Sequence, residues 1–217
     1  MKRFLVSGML AVAALSMVGC GSDASTDPVD TTVLSSELSQ ELKDSITYMY
    51  NEEGLAHDVY LAIYKIQPVN QLQNIANNSE TKHIEAVNAL AIKYDLNMTQ
   101  YPDTDVPYSI EGVSPGHYTV EKIQELYDAL YDKGIQSEQD ALEVGCMVEV
   151  VDINDLDIYI AQAKASNAQD VLDVFNVLIT GSYKHYWTFD EGLIKKGIDT
   201  GCCSLGTEYC HPEYPTK

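Results

Sequence analysis

The sequence predicts an all-α fold, and three observations predict it. Four stretches carry apolar residues at alternating three- and four-residue steps, the period that places them on one helical face. The first two are separated by Pro68 and the last two by a short polar link at Asn167, so each pair can form a hairpin. Between the pairs, Asp95 to Gln136 holds Pro102, Pro107, Pro115 and Gly116, which no single helix can fill. The expectation is a four-helix bundle: two helical hairpins joined by a long crossover with a short extra helix.

In chain order, Met1-Lys2-Arg3 gives a basic start, and Phe4 to Val18 is an apolar run too short to span a bilayer comfortably. Residues 1–19 therefore read as an export signal. The run closes on Ser16-Met17-Val18-Gly19-Cys20, which resembles a bacterial lipobox with Met17 where Leu is usual. Cys20 would then be the lipidated first residue of a cell-envelope lipoprotein. Gly21 at the next position, rather than Asp, fits delivery to an outer membrane if the cell has one. A plain secretory signal with an incidental cysteine is the alternative, and it would leave the protein secreted. Residues 20–38 suit a flexible tether. The formal charge is −20 over 217 residues, and loss of Lys2 and Arg3 with the signal takes it to about −22. Such a surface argues against nucleic acid and anionic lipid as partners and attracts cations.

The bundle is assigned to residues 39–190. Its first helix, Ser39 to Ile66, turns Ile46, Met49, Glu53, Ala56, Tyr60 and Ile63 inward. Glu52 falls one position off that stripe and is expected in solvent. The second helix, from about Asn70 to Tyr94, has Ala76, Glu80, His83, Val87, Leu90 and Tyr94 on one face. Within the crossover, Val120 to Lys133 is amphipathic through Ile123, Leu126, Tyr127 and Leu130. Ser137-Glu138-Gln139-Asp140 resembles a capping sequence for a third helix running toward Ala165. That helix turns Leu142, Cys146, Glu149, Ile153 and Leu156 inward, with Asp152 at the edge of the face. Asn167 is expected to cap the fourth helix, whose stripe is Val171, Val174, Leu178, Ser182, His185 and Phe189.

Six polar residues interrupt or border these stripes. The first hairpin offers Glu53, Glu80 and His83, and the second offers Glu149, Asp152 and His185. A carboxylate or imidazole carried into an apolar interior is costly unless compensated, and a bound metal is one compensation. Glu80-Thr81-Lys82-His83 is a Glu-x-x-His unit of the kind that binds metal inside helical bundles. Hard oxygen donors with one nitrogen per ion suit iron or manganese. On this reading each hairpin holds one ion and Glu80 bridges. Plainer readings exist: Glu53 paired with Lys82, Glu149 and Asp152 solvating a bend, His185 a satisfied core histidine. Tyr60 could hydrogen-bond a ligand carboxylate or simply pack.

Four motifs resemble one family. They are Tyr48-Met49-Tyr50-Asn51-Glu52-Glu53-Gly54-Leu55-Ala56-His57-Asp58-Val59-Tyr60, Ser79-Glu80-Thr81-Lys82-His83, Glu149-Val150-Val151-Asp152-Ile153-Asn154-Asp155-Leu156 and Gly181-Ser182-Tyr183-Lys184-His185-Tyr186-Trp187-Thr188-Phe189. Together they are similar to the ferritin-like proteins catalogued as domain of unknown function 2202, over about residues 39–190. The resemblance implies a ferritin-like four-helix bundle and no particular activity. The wider ferritin and rubrerythrin pattern repeats Glu-x-x-His on the fourth helix. Here Ser182 stands where the second bridging Glu would be, and Asp152 is the candidate to replace it.

Residues 191–217 form a tail containing Cys202, Cys203 and Cys210. In an exported chain disulfides are the default. Cys202 or Cys203 with Cys210 would close a small loop, leaving Cys146 for the remaining thiol. A metal site of three Cys with His211 is the alternative, although adjacent cysteines rarely share one zinc. The chain lacks a Gly-rich phosphate loop, a Gly-x-Ser-x-Gly elbow and a Cys-x-x-Cys pair. Two functions fit. One is an envelope metal protein, a candidate oxidoreductase with two iron or manganese ions for redox chemistry or iron handling. The other is a non-catalytic surface lipoprotein whose bundle binds a partner.

Overall fold

The computed structural model describes residues 38–96, 116–118 and 121–216. The expected export signal 1–19, Cys20, the expected tether up to residue 37 and the crossover prolines Pro102, Pro107 and Pro115 lie outside the described residues. Among the described residues the regular structure is helical, and no helix is long and apolar enough to cross a membrane.

α1 (Gln40–Tyr64) starts where Ser39 Oγ accepts the Leu42 N–H. α2 (Asn70–Ile75) and α3 (Thr81–Lys93) continue one another through a π-helical segment, Ala76–Glu80. There the Thr81 N–H reaches back five residues to the Ala76 carbonyl, and the Thr81 hydroxyl donates to the same oxygen at 3.1 Å. α4 (Glu121–Gly134) is the crossover helix. α5 (Glu138–Ala165) begins at Ser137, whose Oγ accepts the Asp140 N–H, and α6 (Gln169–Lys195) follows.

Asn167 does not cap α6. It takes a left-handed conformation, φ 51°, which its short polar side chain tolerates, and it turns the chain just past the end of α5. Ala168 holds the N-cap position with no side-chain hydrogen bond. Asp170 in the first turn accepts from Lys93 Nζ and Tyr94 Oη, each at 2.7 Å, and ties α6 to the end of α3.

Paired contacts fix the helix directions. Asp152 meets Ser182, Gly145 meets Phe189 and Leu142 meets Gly192, so α5 and α6 are antiparallel. Tyr60 with Glu149 and Ser45 with Gln162 set α1 against α5. Ser79 with His185 and Lys93 with Asp170 set α3 against α6. α1 and α6 therefore run one way, α3 and α5 the other.

Two apolar clusters fill the interior. One includes Leu55, Val59, Ile63, Leu72, Leu142 and Phe189; the other includes Leu42, Ile46, Val87, Leu156, Phe175 and Leu178. Along each long helix, the residues between the two clusters are polar yet buried: Glu53, Glu80 with His83, Glu149 with Asp152, and Ser182 with His185. The apolar turns on either side anchor the helices and carry this layer inside. α4 packs on α1 and α5 through Ile123, Tyr127 and Leu130. It covers the side of α1 that bears Glu52, which is 7% exposed rather than solvated. The α1 period alone gave no sign of this cover.

The tail folds back on α5 and α6. Cys146 is bonded to Cys202, and Cys203 to Cys210 across a seven-residue separation. Those four sulfurs are thus unavailable as thiolates to a site with His211. Its ring instead meets Glu213 Oε1 at 2.8 Å and the Glu208 carbonyl at 3.0 Å.

Candidate metal centre

Glu53 is supplied by α1, Glu80 by the last residue of the π segment and His83 by the first turn of α3. Glu149 and Asp152 come from α5, and His185 from α6. Two groups of three converge. His83 Nδ1 lies 3.1 Å from Glu53 Oε2 and 3.0 Å from Glu80 Oε2. His185 Nδ1 lies 3.1 Å from Glu80 Oε1 and 3.3 Å from Glu149 Oε2. Glu80 belongs to both groups, one oxygen facing each ring. Asp152 joins neither group. Its Oδ2 accepts a hydrogen bond from Ser182 Oγ, although it lines the same cavity as Glu53, Glu80 and Glu149.

Burial sets the electrostatics. It raises Glu53, against the pull of His83, and it raises Glu149, against the pull of His185. Burial and then the Glu149 charge push Asp152 up to about 7. Glu80 goes the other way: burial opposes its charge, but His185 and then His83 outweigh burial and hold it below the usual carboxylate range. Burial also disfavours charge on the histidines, yet Glu53 and Glu80 push His83 up to about 12, and Glu149 and Glu80 push His185 up to about 10. Without metal, two imidazolium rings are the cations that neutralise these acids. A metal ion at the same focus would displace the Nδ1 protons, so protons and metal compete for one set of atoms.

The residues fit a pair of divalent ions. Glu53 Oε1 and His185 Nδ1 are buried and lack a hydrogen-bond partner. His185 Nδ1 has oxygens at 3.1 and 3.3 Å, yet neither makes a hydrogen bond to it. Neighbouring ligands of one octahedral ion, each about 2.1 Å from it, stand about 3 Å apart, and the nitrogen–oxygen spacings match that. The four carboxylates balance two divalent charges.

Supporting residues surround the six. Tyr60 both packs and hydrogen-bonds: fully buried, it donates to Glu149 Oε1 at 2.6 Å. Ser79 Oγ lies 2.8 Å from His185 Nε2 and 3.5 Å from His83 Nε2. Ser79 interrupts no apolar stripe and is not among the residues expected at the site. Its signal is a position four residues before His83, one turn away on the same side of the helix. Glu52, expected in solvent, is buried instead, and its Oε2 has no hydrogen-bond partner. A cavity of about 70 Å³ reaches the acids, walled by apolar side chains that include Leu126, Leu130 and Met147. His57 lies apart and pairs with Asp58 at 2.9 Å.

A family model described as "Uncharacterized protein domain (DUF2202)" matches residues 42–208. The uncharacterized protein MJ0754 of Methanocaldococcus jannaschii is 35% identical over 160 residues, 74% of this chain and 79% of its own length. The crystal structure titled for the hypothetical protein MJ0754 of Methanococcus jannaschii aligns with a TM-score of 0.64 at 33% identity, covering 81% of this chain and 87% of that one. The family match spans α1 to α6 and includes all seven polar residues of the buried layer. With that match and this relative, the chain belongs to the DUF2202 family.

Proposed function

We propose that the buried layer is a carboxylate-bridged dinuclear metal centre in a ferritin-like bundle, holding two iron or manganese ions for redox or iron-handling chemistry. The observation that carries this is Glu80, which turns one oxygen to each of two histidines whose Nδ1 atoms also face Glu53 and Glu149. Glu53, Glu80 and His83 would hold one ion, and Glu80, Glu149 and His185 the other. Asp152, held by Ser182, adds charge beside them. The helix directions and the long crossover support the ferritin-like assignment. Such ions, when bound, supply electrons and open coordination positions. The chain's own residues do the rest: the apolar clusters exclude bulk water, Tyr60 fixes Glu149, and the cavity admits a small uncharged molecule to the acids.

The proposal includes export and anchoring at the cell envelope through Cys20. Pairing of Cys146 with Cys202 and Cys203 with Cys210 supports an oxidising compartment. The test is metal content. The mature chain with Cys20→Ser, loaded anaerobically with Fe(II) or Mn(II), should retain about two ions per chain by mass spectrometry. His83→Ala and His185→Ala should each lose metal, and His57→Ala should not. Equal content in all four proteins refutes the assignment. No metal in any of them favours a bundle that serves only to bind a partner.

A further inference from the structure

We propose that Ser79 is a positioning residue shared by both halves of the centre. Its one hydroxyl oxygen receives the Nε2–H of both histidines and fixes the ring planes in which each presents Nδ1 to the acids. This rests on the dinuclear reading above.

The geometry is direct. Each ring has its Nδ1 at 3.0 to 3.3 Å from carboxylate oxygens and its Nε2 toward Ser79 Oγ, at 2.8 Å for His185 and 3.5 Å for His83. A neutral histidine that ligates through Nδ1 keeps its proton on Nε2, and that N–H needs an acceptor. The serine oxygen has two lone pairs, enough for both rings. The rings are close to parallel, 28° apart with centroids 5.7 Å apart, so one oxygen can serve them together. Gly181 closes the far side of His83. A Cβ there would stand 2.5 Å from Nε2, so α6 leaves no room for a side chain that could replace Ser79 as acceptor. Ser79 and Glu80 are consecutive residues of the π segment, so one local distortion sets both the shared acid and the shared acceptor.

The experiment titrates Co(II) into the mature chain, following visible absorption, with ions counted by mass spectrometry. Wild type should bind two ions. Ser79→Ala should weaken both positions about 10- to 100-fold and change the Co(II) spectrum, while the metal-free protein loses a few degrees of melting temperature and stays folded. Ser79→Thr, which keeps the hydroxyl, should restore affinity and spectrum. A measurement on wild type needs no variant: in the Zn(II)-loaded protein, 15N spectra should show both Nε2 atoms protonated and both Nδ1 atoms metal-bound. Wild-type protein that binds no Co(II) overturns the dinuclear reading and this proposal with it. Two ions bound alike in wild type and Ser79→Ala overturn the role of Ser79 alone. Weakening at one position only, or ligation through Nε2, overturns the shared role.

Discussion

Replacing Gly181 with Ala should remove one metal ion while leaving the fold standing. Gly to Ala inside a helix ordinarily gains about 1 kcal/mol. At Gly181 the new Cβ would lie 2.5 Å from His83 Nε2 and 2.6 Å from its Cε1. Ordinary contacts begin near 3.5 Å, so the ring must retreat by about 1 Å. It has little freedom to do so, because Nδ1 sits 3.1 Å from Glu53 and 3.0 Å from Glu80. Overpacking of this kind costs about 1–3 kcal/mol. Offset by the propensity gain, the metal-free protein should lose about 0–2 kcal/mol, or a few degrees of melting temperature. Metal ligation is far less forgiving, since a displacement of about 1 Å is twice what a preorganised site tolerates. The nearest His185 atom, Cε1, would be 3.8 Å from the new methyl, an ordinary contact. The second position should therefore survive. Mass spectrometry should count about one Mn(II) per chain instead of two, and saturating Mn(II) should raise the melting temperature less than in wild type. Two ions held with wild-type affinity would refute the placement of His83 in the first position.

In metal-free protein Asp152 is raised from 3.8 to about 7, so the folded state holds a proton there that the unfolded chain has released. That contribution to stability is complete below pH 4 and is lost as pH rises toward 7; Asp152→Asn should flatten part of the decline in urea titrations run across this range, and an unchanged slope would count against the burial argument. Cys146–Cys202 closes a separation of 56 residues, for which chain entropy gives about 4 kcal/mol. Cys146→Ser combined with Cys202→Ser should lose up to that amount in denaturant melts, and wild-type stability in the double variant would rule the bridge out as a stabiliser. Cys20→Ala should move the protein from the membrane fraction to the soluble one; a variant that still pellets with membranes would end the lipoprotein proposal.

The helices were legible because their apolar period is strong. Ile46, Met49, Ala56, Tyr60 and Ile63 are all buried on α1, and Val171, Leu178 and Phe189 on α6. The polar interruptions of those stripes led to the site. Five of the six singled-out residues converge, and Asp152 stands beside them bonded to Ser182. Three features did not follow from periodicity. Glu52 is buried by α4, and where a crossover helix docks is a matter of tertiary packing. Asn167 takes a left-handed turn; Asn suits both that turn and an N-cap, so composition could not choose between them. The π segment inserts no unusual residue. Asn77 and Asn78 are exposed, and the extra residue per turn shows in the backbone, as in the Thr81 N–H to Ala76 bond.

That π segment argues for function more than for stability. Two apolar clusters already hold the four long helices, and a regular helix through Ala76–Glu80 would keep its ordinary hydrogen bonds. The distorted turn instead places Ser79 against His185 and Glu80 between two rings, where three acids raised by burial and two imidazolium ions are kept from water. For the fold alone such a layer is unfavourable, because buried ion pairs recover their desolvation penalty only with near-ideal partners, and Glu53 Oε1 has no partner. A bound ion pair changes that balance. Metal that binds only the folded chain stabilises it by about 2.7 kcal/mol at a hundredfold excess over its dissociation constant. On the proposed metal reading the arrangement suits the loaded state: helix geometry is distorted where the ions would sit and regular on either side.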